Sequence, residues 1–312
     1  MDDLQMKQAF YNFGRQWFAL LPPLICPVTF TIDAPFGRFS PAQDSIWLVD
    51  GIKSWMFMEL VAPTAFFYAF LRSPLSPTAG GSSPPLTLHH PPTFLAGLFL
   101  LHYLNRAIIS PLRTPSRSKS HILVPLSAVG FNTINGLLLG TYLSSPYAHK
   151  YLGDAFTRPR FWAGIALWAL GLIGNIVHDE ILLNIRRKAK AKGKARESAE
   201  GTGKDGEDDN NGKIKKNKQE HYAIPHGLLY RYISYPNYFC EWLEWLGFAL
   251  AASPAPSFAS FAAYFLTATP PWLFFFSELF LMLPRAWKGH QWYHSRFPDY
   301  PKERKAVIPF VL

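Results

Sequence analysis

Apolar residues fall along this chain in long blocks, and the blocks recur at membrane-crossing length. A helix needs about 20 residues at 1.5 Å each to cross a bilayer core. Stretches of that order run over Phe10–Ile32, Ile46–Leu71, Pro92–Leu112, Ile122–Leu143, Phe161–Ile185, Tyr238–Ala252 and Ser257–Leu283. They predict an all-α integral membrane protein, a bundle of seven transmembrane helices. Arg15 and Pro22–Pro23 interrupt the first block, and Glu241 and Glu244 shorten the sixth, so six spans remain the alternative. One region breaks the pattern: "KAKAKGKARESAEGTGKDGEDDNNGKIKKNKQE", Lys188 to Glu220, has almost no apolar residues and mixed charge. Such a composition buries too little surface to offset chain entropy, which predicts a disordered insertion. The chain therefore divides into 1–187 with spans 1 to 5, the insertion 188–220, and 221–312 with spans 6 and 7 and a tail.

Composition changes this picture little. Hydrophobic residues make up 49% of the 312 positions and aromatics 16%. The formal net charge of +10 has a topological source that needs no nucleic acid. With seven spans, Arg113, Arg117 and Lys119, the segment after Arg186, and the tail with Arg285, Lys288, Arg296, Lys302, Arg304 and Lys305 share one side. The positive-inside rule makes that side cytosolic, with a cytosolic C-terminus and a lumenal N-terminus. The start "MDDLQMKQ" is acidic and polar, and the first apolar block is long enough for an uncleaved anchor. Cys26 and Cys240 lie in different blocks, so neither a disulfide framework nor a metal-ligand spacing can be built from them, and no metal is expected. "GTGKDG", Gly201 to Gly206, formally matches a dinucleotide fingerprint. That motif works only between a strand and a helix, and the surrounding composition supports neither.

Polar residues inside the spans carry the chemistry. Ionisable groups in a span cost about 2.5–3.5 kcal/mol each at the helix centre on insertion scales, and they usually face a bundle interior or cavity. At about 100° per residue, Asn175, Asp179 and Arg186 fall on one stripe. Asn237, Glu241 and Glu244, at i, i+4 and i+7, form a second. "HYLNR" brings His102, Tyr103 and Arg106 onto the third span, Asn132 and Asn135 mark the fourth, and Glu59 stands alone in "WMFMEL". Singly, such residues are as readily helix-end ion pairs or interhelical hydrogen bonds of about 0.6 kcal/mol. Together they describe a polar cavity near the cytosolic face, suited to an anionic ligand rich in hydrogen-bonding groups, such as a dinucleotide.

"IPHGLLYRYISYPNYFCEWLEWLGFALA" (Ile224–Ala251) and "HQWYHSRFPDYPKERKAVIPFVL" (His290–Leu312) resemble the C-terminal signature of the steroid 5α-reductases. "GNIVHDEILLNIRR" resembles the segment before it, and the likeness extends to "HYLNR", "NTING" and the Glu of "WMFMEL". The resemblance implies an endoplasmic-reticulum membrane enzyme of seven spans, a monomer among membrane lipids, that uses NADPH to saturate the double bond of a 3-oxo-Δ4 steroid or similar hydrophobic enone. Carried over by position, Asn175, Asp179, Arg186, Asn237, Glu241 and Arg285 match cofactor-contacting residues, and Tyr222 and Tyr293 match their neighbours. Glu59 and Tyr103 match the catalytic pair that holds the substrate ketone. Gly289 departs from the pattern, standing where relatives can carry a second His beside the one matched by His290.

In that reading, a protonated Glu59 and the Tyr103 hydroxyl supply donors for the negative charge that grows on the ketone oxygen. "SYPNYFCEWLEW" also has the character of sterol, polyprenol and enoyl-CoA reductases and of isoprenylcysteine methyltransferases, which stay as alternatives together with a catalytically inactive sterol-binding protein.

Overall fold

A computed structural model describes residues 2–41, 43, 45–77, 83–201 and 222–312, with side chains for all of these except 194–201. They fold into α1 (Asp3–Thr31), α2 (Gly51–Arg72), α3 (Pro91–Tyr103), α4 (Ser110–Arg113), α5 (Leu123–Leu143), α6 (Pro146–Leu152), α7 (Pro159–Gly201), α8 (Pro236–Ala252), α9 (Phe261–Thr267) and α10 (Pro270–Arg296). β1 (Leu48–Val49) and β2 (Ser120–His121) pair antiparallel, Leu48 opposite His121.

Four helical stretches among the described residues are long and apolar enough to cross a membrane: Gly51–Arg72, Pro91–Arg113, Leu123–Leu143 and Pro159–Gly193. These correspond to the second to fifth of the expected spans. The other three do not meet that standard, for reasons visible in their residues. α1 carries Arg15 and three interior prolines, α8 has 17 residues with Glu241 and Glu244 among them, and α10 contains Glu278, Pro284 and Arg285. Arg15 has a structural use: its Nη1 donates to the carbonyls of Phe265 and Ala268, each at 2.7 Å, satisfying acceptors that the end of α9 leaves free.

The insertion needs correction. α7 continues as helix to Gly201, so the first part of Lys188–Glu220 is helical rather than disordered. Its Lys, Ala, Arg and Glu residues are strong helix formers, and a helix already nucleated in the bilayer extends through them without a new nucleation cost. The remainder of the insertion, and GTGKDG after its first glycine, lie outside the described residues.

Helices pack closely where glycine removes the side chain. A Cβ on Gly136 of α5 would lie 2.4 Å from the Ala62 carbonyl oxygen of α2, and one on Gly140 2.3 Å from that of Phe66. Asn132, one turn earlier, donates from Nδ2 to the Met58 carbonyl at 2.7 Å. α7 meets α8 in the same way: a Cβ on Gly171 would lie 2.4 Å from the Glu244 amide nitrogen, and one on Gly247 2.4 Å from that of Trp168. Small residues let membrane helices approach until backbone packing and interhelical hydrogen bonds hold them. Phe66, Phe99, Trp245, Phe248 and Phe274 fill the core between the two pairs.

Gly171→Val is expected to force α7 and α8 apart at an overpacking cost of about 1–3 kcal/mol, lowering the thermal midpoint in detergent by several degrees. Gly97→Ala, where a Cβ meets nothing within 4 Å, is the control and should leave the midpoint unchanged or slightly raised. Equal behaviour of the two variants would refute the close-packing account.

Candidate active site

The site begins at a defect in the third membrane-crossing stretch. Between α3 and α4 the chain forms a π-helical turn, Leu104–Ile109, in which the Ser110 amide bonds back to the Asn105 carbonyl. Pro111 supplies a cause: it has no N–H for the carbonyl of Ala107 and its ring crowds that group, so the ladder slips by one residue. Such bulges cluster at functional sites. This one carries Arg106, whose Nε donates to Glu59 Oε2 at 3.1 Å and whose Nη1 donates to Glu241 Oε1 at 2.8 Å. One guanidinium thereby ties α2, the π turn and α8 together. Tyr103, immediately before the turn and 3% exposed, packs against Phe99 and His102; its hydroxyl makes no hydrogen bond among the described residues.

From Glu241 the network continues into α7. Asn175 Nδ2 donates to Glu241 Oε2 at 3.2 Å and to the Asn237 carbonyl at 3.1 Å. Asn237 Nδ2 donates to Asp179 Oδ1 at 2.9 Å. The two stripes read from the sequence therefore meet each other, with one exception. Glu244 turns away from Glu241 and accepts from His102 Nδ1 at 2.7 Å, fully buried. The two carboxyl groups thus take different partners, Arg106 and His102.

Toward the C-terminal part of α7 the site becomes cationic. Arg117 stacks on Trp55 at 3.7 Å and Arg285 on Phe36 at 3.5 Å. Neither these two nor Arg186 forms an ion pair among the described residues. Burial and then the like charge of Arg186 lower Arg117 to about 10, so it stays charged at neutral pH. Crowded guanidinium groups without an acidic partner suit a ligand with several phosphate charges, and the amides and carboxylates of Asn175, Asn237, Asp179 and Glu241 suit its amide and hydroxyl groups. A phosphorylated dinucleotide fits this donor set.

Tyr222 and Tyr293 also come together, around a residue that the sequence reading left out. Arg38 lies 4.6 Å from the Tyr293 ring, 4.7 Å from Trp292, and 5.5 Å from each of Tyr222 and Tyr235. It arrives on the segment "DAPFGRF", which crosses the C-terminal half of α10 and is fastened there by a 2.8 Å Lys288–Asp33 ion pair. Gly37, at φ 63°, makes the turn that aims Phe36 and Arg38 to their separate partners; residues with a Cβ rarely adopt that conformation.

Arg106, Arg117 and Glu278 are further members that the carry-over did not assign. Glu278 is half-buried on α10, in electrostatic range of Tyr103, Arg106 and Glu241, and forms no hydrogen bond or ion pair among the described residues. A signal was present: Glu278 lies seven residues before Arg285 and therefore on the same helix face. Gly289 has a steric reason, since a Cβ there would lie 1.6 Å from the Tyr235 hydroxyl. His290 bonds through Nδ1 to Ser234 Oγ at 2.6 Å; burial, then His294 and Lys305, push it down to about 4. It is a neutral brace between α10 and the 234–235 segment.

A family model described as 3-oxo-5-alpha-steroid 4-dehydrogenase matches residues 118–197 and 208–312. The chain belongs to this family. The family match skips only 198–207 in its span, inside the charged segment. Rat 3-oxo-5-alpha-steroid 4-dehydrogenase 1 is 32% identical over 282 residues, 90% of this chain and 88% of the relative. Human 3-oxo-5-alpha-steroid 4-dehydrogenase 2 is 36% identical over 255 residues, 81% of this chain and 82% of the relative. An uncharacterized protein of Schizosaccharomyces pombe is 38% identical over 310 residues, 97% of this chain and 100% of the relative. The apolar helices together with these relatives make it a multi-pass membrane protein.

Arg106→Met should leave Glu59 and Glu241 without their shared cation, at about 3–5 kcal/mol, seen as a large drop in thermal midpoint. Adding Glu59→Gln and Glu241→Gln to it should restore most of the loss. A triple variant no more stable than the single one would disprove the bridging role.

Proposed function

We propose that this member of the family is a membrane reductase that takes NADPH and saturates the Δ4 double bond of a 3-oxo steroid or a similar flat enone lipid. Family membership suggests reduction of a steroid enone with a nicotinamide cofactor. The observation that best supports the reading is the polarity of the site: a buried Tyr103 hydroxyl without a hydrogen-bond partner among the described residues stands near Arg106 and Glu59, and Arg117, Arg186 and Arg285, without ion pairs among those residues, stand at the other end. Hydrogen-bond donors for a ketone and cations for phosphates thus flank one polar network.

In this reading Arg117, Arg186 and Arg285 hold the phosphates, Asn175, Asp179, Asn237 and Glu241 hold amide and hydroxyl groups, and Tyr222 and Tyr293 flank them with Arg38. NADPH, when bound, supplies the hydride for the β-carbon. Tyr103 donates its O–H to the ketone oxygen. Glu59, paired with Arg106 through Oε2, takes up a proton on its other oxygen when the ketone binds and donates it to the same ketone, since a protonated carboxyl has one donor beside its acceptor oxygen. Both donors act where negative charge grows, in a site walled from water by Phe and Trp side chains. The α-carbon is protonated from solvent or a nearby acid. The reading also places the chain in the endoplasmic-reticulum membrane with α1, α8 and α10 completing seven spans, the C-terminus cytosolic, and the molecule a monomer.

Membranes containing the protein, incubated with NADPH and a panel of Δ4-3-ketosteroids, polyprenols and enoyl-CoAs, should yield a steroid product heavier by two hydrogens. Turnover only of a polyprenol or an enoyl-CoA would move the chain to a neighbouring reductase class. Glu59→Ala and Tyr103→Phe should each lower turnover about 10²–10³-fold, with Glu59→Gln between them and wild type and NADPH affinity near normal in all three. Ordinary turnover per folded molecule in Glu59→Ala would rule out the catalytic role. Arg186→Ala, Arg285→Ala and Arg117→Ala should instead weaken NADPH binding, by about 2–5 kcal/mol for a buried partner of a phosphate charge; unchanged affinity in all three would remove the phosphate assignment.

A further inference from the structure

An open cavity with several charged residues in its wall lies on another side of α7. It measures about 690 Å³ and is lined by His178, His226, Arg231, Tyr232, Glu303 and Arg304 among others. His178 follows α7 about 100° around the helix from Asp179, so the cavity opens away from the network that joins Asp179, Asn237 and Glu241. Its His178 wall is fixed: Nδ1 donates to the Gly174 carbonyl at 2.6 Å and Nε2 accepts from the Leu229 amide at 3.3 Å.

Arg304 is the unusual group here. It is only 4% exposed and lies over the Tyr300 ring, 5.0 Å from its centre; its Nε and Nη1 are buried without a hydrogen-bond partner among the described residues, and Nη2 has a long 3.5 Å contact with His226 Nδ1. The chain holds it in place, because its neighbours pair with the 232–235 segment: Lys305 N to Tyr232 O at 2.9 Å, Ser234 N to Lys305 O at 2.9 Å and Tyr235 N to Ala306 O at 3.0 Å. A buried guanidinium with unmet donors is costly unless an anion completes it. Arg231 adds a second positive charge at the mouth, against the single carboxylate of Glu303.

Depth and rim identify the anion. Leu170, Ile173 and Val177 form the exposed apolar stripe of α7, and polar Glu180 and Asn184 follow one and two turns later, so His178 sits where hydrocarbon gives way to headgroups. Leu228, Tyr232, Phe310 and Val311 are exposed nearby, with Tyr232 against Phe310 at 5.1 Å between ring centres. Apolar groups beside a basic cavity at that depth match a lipid, whose chains cover the rim while its phosphate meets the guanidinium groups. We propose that this cavity binds the phosphate of an anionic membrane phospholipid.

The full chain in nanodiscs of phosphatidylcholine, with and without phosphatidic acid, tests this through the thermal midpoint and through native mass spectrometry of retained lipid. Phosphatidic acid should raise the midpoint by several degrees and remain bound to the protein. Arg231→Gln, at an exposed position that should fold normally, should at least halve the shift, and Arg304→Gln should abolish it. Lys302→Gln, outside the cavity, should keep it in full, and Arg231→Gln should leave NADPH affinity unchanged. The proposal is overturned if phosphatidic acid gives no shift, if inorganic phosphate in phosphatidylcholine discs gives the same shift, if the two arginine variants respond like wild type, or if Arg231→Gln weakens NADPH binding.

Discussion

The arrangement of the site depends on one half-buried cation. Arg106 has Glu59 of α2 on one side and Glu241 of α8 on the other, while its own backbone belongs to the π turn that follows Tyr103. Isolated, each of these charges would be too costly to bury. Joined, they fix the relative rotation of three helices, because a shift of any one would leave an uncompensated charge in the interior. The ketone-binding pair proposed for the site and the Asn175–Asn237 amides meet at this bridge, one group through Glu59 and the other through Glu241.

That bridge needs backbones close enough for side chains of ordinary length to reach. Glycine provides the approach in both helix pairs: Gly136 and Gly140 between α5 and α2, and Gly171 and Gly247 between α7 and α8. The second pair matters most for chemistry, since contact at Gly171 sets Asn175, one turn further on, against Glu241 and Asn237. The backbone packing that stabilises the bundle therefore also aligns the polar stripes. At the C-terminal half of α10 the strap at 33–39 closes over the helix by ion pairing and by stacking of arginine on aromatic rings, interactions that tolerate water better than the interior network does.

Charge is distributed along the network in a manner consistent with two kinds of ligand group. Near Tyr103, Glu59 and Glu241 share one guanidinium with Glu278 within electrostatic range, and the excess negative charge must be met by protons or by ligand donors. Near Arg186 the balance reverses, with Arg117, Arg186 and Arg285 lacking acids. A protein that folded only for stability would have paired these groups with each other. Their separation along the site is what the proposed binding role asks for, in keeping with the tendency of functional sites to violate rules obeyed elsewhere in the fold.

The sequence by itself determined the helical blocks, the four apolar crossings among them, the stripes of Asn175 with Asp179 and Asn237 with Glu241, and the family, through the "YISYPNYFCEWLEW" and tail signatures. Those are local properties, set by hydropathy, helical period and residue order. It misjudged the charged segment, because composition measures the capacity to form a core and does not register that a helix already formed can propagate through Ala, Lys and Glu. It also put Glu244 beside Glu241, because helical spacing defines a face broad enough to hold both, and only packing against His102 separates them. Arg38 and Arg117 gained their places in the site from tertiary structure alone, and the partners of Arg106 and Glu278 were decided there too. Each comes from a distant part of the chain, and which charge meets which depends on interhelical distance and rotation, quantities that glycine contacts, a slipped π turn and the fastened strap decide after the helices have formed.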